Sequence, residues 1–497
     1  MTVGYSELFR LVLPEVIVVA AALAVLTTDV LFMRNAGTRA RFAIGAVISC
    51  IGCVGAIAWM LIAPQQANVF DGTLAIGPQT QLIQISLLGI AILVIGLSIE
   101  STFTTHVGEY LALILFATTS MMFLVSTQNI LLIFISLEML SLSLYVLTAF
   151  SKRSTRSAEA ALKYFLFGGM SAAFTLFGLS LIYGLSNSTN LIRIASAIRG
   201  PSLNPLLAVA IVMTVIGFGF KVAAAPFHFW APDVYQGSPA STATLIASSS
   251  KVASFAIFYQ VLVIGFAGAE GRGGWGQYIP GWVPVLAIVA ALSMVLGNLV
   301  AIMQTSVRRL LAYSAIAHAG YILLALISHA QQSFDALLYY TITYALTVIG
   351  AFGVVAVVEN QIGSDSLSDF AGLSRRAPAL SFCMLIFLLS LAGIPPLAGF
   401  FGKFYLFAST LNAEPQTLGI LWLVILAIAM STVSLYYYLQ VLKRIYIAEP
   451  PPQAAPIRTP IVSQVVIYLI ALSIMLLGCA PNIFLSWLQQ APRIARF

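Results

Sequence analysis

Long apolar runs separated by short polar stretches recur from one end of the chain to the other. Each has roughly the 20 residues that an α-helix needs to cross the hydrocarbon core of a membrane. About fourteen such runs can be placed, at 11–33, 40–62, 80–99, 107–126, 129–150, 158–184, 205–225, 239–265, 282–303, 309–328, 333–358, 378–410, 417–447 and 461–490. The pattern predicts an all-α polytopic membrane protein with about fourteen transmembrane helices and almost no room for a soluble domain.

Composition and charge agree with this pattern. Of the 497 residues, 60% are hydrophobic and 8% are charged, whereas soluble domains have about 25% charged residues. If the first span starts outside, thirteen of the 23 basic residues lie in inside loops, six in outside loops and four within spans. Because Lys and Arg favour the cytoplasmic side, both termini are predicted outside. The net charge of +7 therefore reflects topology, and no basic domain suited to nucleic acid is visible.

The four basic residues within spans are all lysines: Lys163, Lys221, Lys251 and Lys403. Arginine stays protonated essentially always, whereas a buried lysine can give up its proton. The preference for lysine therefore favours proton transfer over fixed-charge anchoring. Lysines near span ends can also extend to the membrane surface. That alternative fits Lys163 and also Lys251, but it fits poorly for the other two, which lie beside predicted helix breaks.

Three further titratable residues lie in or beside the spans. Glu138 is mid-span with no charged residue within ten positions, and such groups usually face the bundle interior and find a partner. Lys163 and Lys221 are the available cations, and a protonated, hydrogen-bonded carboxyl is the alternative. His318, also mid-span, is either a proton relay or a satisfied core residue. His228, next to a proline, either moves protons or caps backbone groups, and both interpretations stay open.

Two predicted helix breaks share one arrangement. The first is at Pro226 and the second at Pro395-Pro396, each with a lysine nearby, Lys221 and Lys403. A proline in a helix removes a hydrogen bond and leaves carbonyl groups free, which is tolerable at membrane depth only where they are buried or wetted. Matching breaks make a simple kink the less favoured interpretation.

The breaks also suggest the organisation of the chain. The fourth helix of each of two five-helix groups is the interrupted one, and an odd number of helices makes the second group an inverted copy of the first, as in many transporters. We expect a three-helix segment at 1–105, a first repeat at 106–265, an inverted second repeat at 282–447, and a C-terminal helix and tail at 461–497. No charged residue in the second repeat corresponds to Lys163 or Lys251.

Cofactor and metal motifs are not evident in the sequence. Cys50 and Cys53 form a C-x-x-C pair, but no second pair or nearby histidine completes a ligand set, so packing is the favoured interpretation. No phosphate-binding loop, catalytic triad or nicotinamide fingerprint was found, and the chain is predicted to hold no redox centre.

Five motifs around the candidate residues resemble the antiporter-like proton-pumping subunits of respiratory complex I and their Mrp-type relatives. They are SLEMLSLSLYVL, PFHFWAPDVYQGSP, SSSKVASF, VRRLLAYSAIAHAGY and GIPPLAGFFGKFY. Within that family, the second motif and the lysine at position 403 most resemble the N-type subunits of bacterial NADH-quinone oxidoreductase. One departure is Ala240-Ser241 after Pro239, where the family often has a second proline, which affects the expected start of the eighth helix.

The resemblance implies a proton pump without redox chemistry of its own. Electrons would pass from NADH through FMN and iron–sulfur clusters to quinone in other subunits, and the partners would be the other membrane-arm and peripheral subunits. In the family, a glutamate at the position of Glu138 modulates the charge of a neighbouring lysine. A polar axis then runs through the membrane, formed by Lys163, Lys221, Lys251, His318 and Lys403, with Lys403 nearest the outlet. The implied location is the bacterial inner membrane, and an Mrp-like cation/proton antiporter subunit is the alternative.

Overall fold

The structure is a computed structural model that describes residues 4–199, 203–274, 277–328, 332–413, 419–450 and 455–490. Within these ranges the chain is almost wholly helical, with two short antiparallel hairpins. The end of the predicted C-terminal unit, residues 491–497, lies outside the described residues. The prediction of an all-α polytopic fold is confirmed.

The first part of the chain contains four helices and a hairpin. Its elements are α1 (Tyr5–Leu11), α2 (Leu13–Leu31), α3 (Thr38–Ile62), β1 (Ala67–Val69), β2 (Leu74–Ile76) and α4 (Pro78–Ser98). In the hairpin, Asn68 pairs with Ala75. Helices α2 and α3 pack against each other, and α3 packs against α4.

The middle of the chain carries most of the candidate residues. Its elements are α5 (Val107–Val125), α6 (Ile130–Thr148), α7 (Thr155–Ser186), α8 (Leu191–Ala197), α9 (Pro205–Lys221), α10 (Trp230–Gly237), α11 (Ala240–Ala247), α12 (Ser249–Tyr259) and a π-helical turn (Gln260–Gly265). Several helices begin where the sequence supplies an N-cap. Asn129 accepts from the Leu131 N–H at α6, and Asn204 accepts from Leu206 at α9, with proline in the first turn.

The last part of the chain repeats the alternation of long and short helices. Its elements are β3 (Arg272–Gly274), β4 (Gln277–Ile279), α13 (Trp282–Ile302), α14 (Val307–Ser328), α15 (Ser333–Ile362), a 3₁₀ turn (Leu367–Phe370), α16 (Leu373–Arg376), α17 (Pro378–Ala392), α18 (Ala398–Ala413), α19 (Leu421–Tyr446), α20 (Ile461–Cys479) and α21 (Asn482–Gln490). Helix α15 ends at Gly363, whose φ of 79° is in the left-handed region that favours glycine.

Twelve spans in the described ranges are long and apolar enough to cross a membrane. Each of the other two predicted spans corresponds to a shorter apolar helix, α9 and α17. Helices α14 and α15 and the span Ala240–Gly265 are almost entirely buried, whereas α7 and α19 leave one face open. The candidate residues on the buried helices therefore lie at the centre of the molecule.

Both short helices end close to a lysine. Helix α9 stops at Lys221, and the chain resumes as a helix at Trp230. In between, the Ala225 N–H donates to the Ser293 hydroxyl at 2.8 Å, and the Trp230 indole N–H donates to the Phe220 carbonyl at 3.0 Å. The backbone groups freed by the interruption are thus bound by side chains, as their depth requires. The relation of the two five-helix groups as inverted repeats stays a prediction.

A further interruption lies in the span that carries Lys251. Ser248, with φ −112° and ψ −89°, separates α11 from α12, and the span ends in the π-helical turn. The sequence predicted one uninterrupted helix over 239–265 and did not indicate this feature. Helix α11 begins at Ala240 directly after Pro239, so a single proline is enough to start it.

Candidate functional site

Lys221 and Glu138 approach the same serine. The Lys221 ammonium donates to the Ser141 hydroxyl, which donates in turn to the Leu137 carbonyl. Ser141 lies three residues after Glu138, on the same face of α6. The described residues show no ion pair between the carboxylate and the lysine. The hydroxyl, which both donates and accepts, therefore lies beside each of them.

Lys251 lies in one of the most buried parts of the chain. Its side chain is 2% exposed, and the ammonium donates to the carbonyl of Ala315 on α14 at 2.7 Å. The same nitrogen lies 5.8 Å from the centre of the Tyr344 ring, a cation–π distance. Ala315 is one helical turn before His318, so Lys251 contacts the helix that carries His318.

His318 is surrounded by tyrosine hydroxyls. Its Nδ1 lies 2.7 Å from the Tyr340 hydroxyl, and its Nε2 lies 3.3 Å from the Tyr438 hydroxyl. The Tyr438 hydroxyl also bonds to that of Ser314. Each of these hydroxyls can both donate and accept a hydrogen bond. In a neutral imidazole, one ring nitrogen donates and the other accepts. The arrangement therefore permits proton exchange in either direction.

Lys403 takes up the carbonyl groups freed by the second break. Its ammonium donates to Leu391 at 2.9 Å, to Ala392 at 3.0 Å and to the Ser431 hydroxyl at 2.8 Å. It lies 5.3 Å from the centre of the Tyr321 ring, three residues beyond His318. A cavity of about 310 Å³ opens beside Lys403. Helix α14 thus contacts Lys251 on one side of His318 and Lys403 on the other.

Lys163 belongs to a different cluster. It pairs with Glu159 and with Asp233 of α10, both at 2.7 Å, and its side chain is 39% exposed. Asp233 also binds Arg309 of α14 at 2.6 Å. The structure therefore shows Lys163 in an ion network that joins α7, α10 and α14, with no contact to Glu138 among the described residues.

His228 lies in the interruption after α9 and is 7% exposed. Its ring stacks on Phe229 with ring centres 4.6 Å apart. Its Nδ1 has no hydrogen-bond partner among the described residues. The alternative that the ring caps backbone groups therefore has no contact to support it.

Sequence reasoning missed the tyrosines and Asn298. The Asn298 amide donates to the Tyr321 hydroxyl at 2.9 Å and accepts from the Tyr437 hydroxyl at 3.1 Å. All of these groups are buried. The available signal was the clusters of tyrosine within apolar spans, LYYTITY and LYYYL, because a buried tyrosine hydroxyl usually has a partner.

The described residues do not form a metal site. Across the described ranges, no group of three or more His, Cys, Asp or Glu side chains is placed to hold an ion. Cys50 and Cys53 are free thiols, the second of them buried. Their contacts agree with the packing interpretation.

The fold agrees with that of known proteins. Residues 127–431, more than half of the chain, match the family described as NADH:quinone oxidoreductase/Mrp antiporter, TM. The chain belongs to this family, and the resemblance noted from its motifs is confirmed.

Individual relatives cover nearly the whole chain. The chain is 55% identical to NADH-quinone oxidoreductase subunit N 2 of Acidobacterium capsulatum, over 98% of this chain and 99% of that protein. It is 40% identical to NADH-quinone oxidoreductase subunit N 1 of Roseiflexus castenholzii, over 85% and 81%. A chain in a structure of respiratory complex I from Thermus thermophilus is 33% identical, covers 95% of this chain and 98% of its own length, and has a TM-score of 0.78.

Proposed function

We propose that this chain is a proton-translocating membrane subunit of an NADH-quinone oxidoreductase. The 55% identity over nearly both full lengths to a subunit N supports that assignment. The observation that carries the mechanism is the position of two buried lysines against α14, the helix that carries His318. Lys251 contacts α14 at the Ala315 carbonyl, and Lys403 contacts it at the Tyr321 ring, while His318 bonds to the Tyr340 hydroxyl. Charged groups at this depth are costly and mark ion or proton pathways. Electron transfer takes place in the other subunits.

Glu138 and Lys221 form the switchable pair of the proposed pump. When Glu138 is ionised, its charge favours the protonated lysine, and when it is neutral, burial favours release of the proton. Ser141, one helical turn after Glu138 on α6, accepts a hydrogen bond from Lys221 and so holds the ammonium beside the helix that carries the carboxyl. Because the two groups titrate together, a change at one end alters proton binding at the other.

The centre of the axis passes the proton along α14. Lys251 makes one hydrogen bond, to the Ala315 carbonyl, and a single acceptor is weak compensation for a buried charge. His318 and its tyrosine partners supply groups that accept and donate. The Lys403 ammonium has three oxygen acceptors, which compensate its charge better than a single acceptor does. Lys403 therefore serves as the last station.

Lys163 acts in this proposal at the inner end of α7. Through Asp233 it holds α10, the helix that follows the interruption after Lys221, and Arg309 fixes the same carboxylate from α14. His228, in that interruption, is assigned to proton transfer because its buried Nδ1 has no hydrogen-bond partner among the described residues and so is free to bind a proton.

The predicted organisation and orientation complete the proposal. Residues 1–105 form a three-helix unit, 106–265 and 282–447 the two inverted repeats, and 461–497 a C-terminal helix and tail. The excess of basic residues in alternate loops supports termini on the outer side of a bacterial inner membrane. Partners are the other subunits of the complex, as in the Thermus thermophilus assembly.

The Glu138→Gln variant tests this function. It removes the charge and keeps the shape, so NADH oxidation and proton pumping should fall together. Losing about 1.4 kcal/mol of charge stabilisation changes a protonation equilibrium by about 10-fold, and we expect losses of that order. Both rates are measured on membranes with assembled complex, with Glu7→Gln as the exposed control. Lost pumping at unchanged electron flow would instead indicate a transporter that slips.

A further inference from the structure

One of the most buried carboxyl groups lies outside the axis. Glu15, in the first turn of α2, is 1% exposed. Its Oε1 accepts from the Gln84 amide of α4 at 2.7 Å, and its Oε2 has no hydrogen-bond partner among the described residues. The Gln84 amide also donates to the Met122 carbonyl of α5 at 3.4 Å. The carboxyl is thus enclosed between three helices, and among the described residues Gln84 is the one side chain that donates to it.

No basic side chain of the surrounding helices faces Glu15. Helix α4 contains no charged residue, α5 contains only Glu109, at its opposite end, and α3 has its two arginines in its first turn, also at the opposite end. Arg41 there is paired with Asp29, at the far end of α2. Arg10 of α1 lies on an exposed face. An ionised carboxylate with no facing cation and one oxygen without a partner among the described residues is strongly disfavoured in such surroundings, so the group holds a proton in this conformation.

Capping of α2 does not account for Oε2 of this carboxyl. Acidic residues are favourable in the first turn of a helix because they bind its free N–H groups. Here the chain passes almost directly from α1 to α2, and the Val12 and Val16 N–H groups donate to the carbonyls of Leu8 and Val12. The Val12 and Val16 N–H groups therefore already have partners, and Oε2 has none among the described residues.

Polar residues continue from Glu15 into the molecule. Gln79, Thr80, Gln81 and Gln84, in the first two turns of α4, are all buried. Helices α4 and α5 both pack against α12, which carries Lys251. One turn beyond Lys251 on α12, the buried Ser254 hydroxyl lacks a partner among the described residues.

An apolar cluster lies on the other side of Glu15. Leu11, four residues earlier, packs with Leu74 and Ile76 of the hairpin. The carboxyl is therefore separated from the near surface by apolar side chains and is connected inward through amide groups.

We propose that Glu15 is a proton-binding site, loaded and emptied during turnover, between the lysine axis and the surface on the side where the chain begins. The inference rests on the proposed function, since the protons it exchanges are those that the axis moves. It adds a station in the N-terminal unit, where none was predicted. The carboxyl binds the proton on Oε2 while Oε1 keeps its bond from Gln84.

Infrared difference spectroscopy of the assembled complex tests this site. On addition of NADH, the carbonyl stretch of a protonated carboxyl should change in intensity and shift in D₂O. Glu15→Gln should lose that band, and Glu7→Gln, the same change at an exposed position eight residues earlier, should keep it. An identical spectrum in Glu15→Gln would overturn the site. A Glu15 band that does not respond to NADH would overturn its part in turnover.

A second variant covers failure of Glu15→Gln to assemble. Gln84→Met removes the side-chain donor to Oε1 and leaves the carboxyl in place, so the band should move to higher frequency and persist. An unmoved band contradicts the assignment. Failure of the proposed function is distinguishable, because wild-type and Glu7→Gln complexes would then pump no protons, whatever the spectrum shows.

Discussion

Replacing Lys221 with alanine should lower NADH-driven proton pumping by about 10-fold or more, since a positioned proton-transfer group usually contributes at least that factor. The variant leaves Ser141 and Glu138 without the cation that they approach. Pumping is measured as acidification of inverted membrane vesicles, with the amount of assembled complex determined separately.

Lys152→Ala is the matched control for Lys221→Ala. Lys152 is an exposed lysine in the loop between α6 and α7, so its loss should leave pumping unchanged. If assembled Lys221→Ala complex pumped at the wild-type rate, the pumping role of this chain would be lost, and its buried charges would be structural.

Replacement of Lys403 should separate proton transfer from structural support. Lys403→Ala leaves the Leu391 and Ala392 carbonyls without their donor, so it should cost both pumping, by about 10-fold or more, and stability, by about 1–3 kcal/mol for each buried group left without a partner. Lys403→Arg keeps a donor and a charge but stays protonated. We expect this variant to assemble and not to pump.

The comparison of the two Lys403 variants is decisive for that site. Assembly is followed by the yield of intact complex, and pumping by vesicle acidification. If Lys403→Arg restored both assembly and pumping, the ammonium would act as a fixed structural charge. A third variant, Lys443→Ala at the exposed end of α19, should leave both unchanged.

The spans and their lysines could be predicted from the sequence because both signals are local. A hydrophobic run of sufficient length is helical whatever it packs against, since no water is present to satisfy its backbone. A lysine within such a run is conspicuous for the same reason. The interruptions next to Lys221 and Lys403 were indicated by prolines, whose effect on a helix is also local.

The partners of these groups could not be predicted, because sequence signals are local and the partners lie far away along the chain. His318 meets Tyr340 and Tyr438, which are 22 and 120 residues away, and periodicity does not show which helices touch. The break at Ser248 has no proline, and only a run of three serines marks it. Lys163 was grouped with Glu138 by depth, whereas its observed partner, Asp233, lies 70 residues along the chain.

The burial of Glu15 could not be predicted from the sequence either. In the sequence it follows a proline near the start of an apolar run, which is typical of a residue at the membrane surface. Its burial depends on the glutamine-rich first turns of α4 and on the hairpin that precedes them. Neither is recognisable as a neighbour of residue 15 before the chain folds.

The central claim is that protons cross the membrane through this chain along Lys221, Lys251, His318 and Lys403. The most direct measurement is an experimental structure of the assembled complex that resolves ordered water in more than one state of turnover. The account predicts a continuous path of water and polar side chains joining these residues in at least one state. A dry, tightly packed interior around Lys221, Lys251 and Lys403 in every state would contradict it.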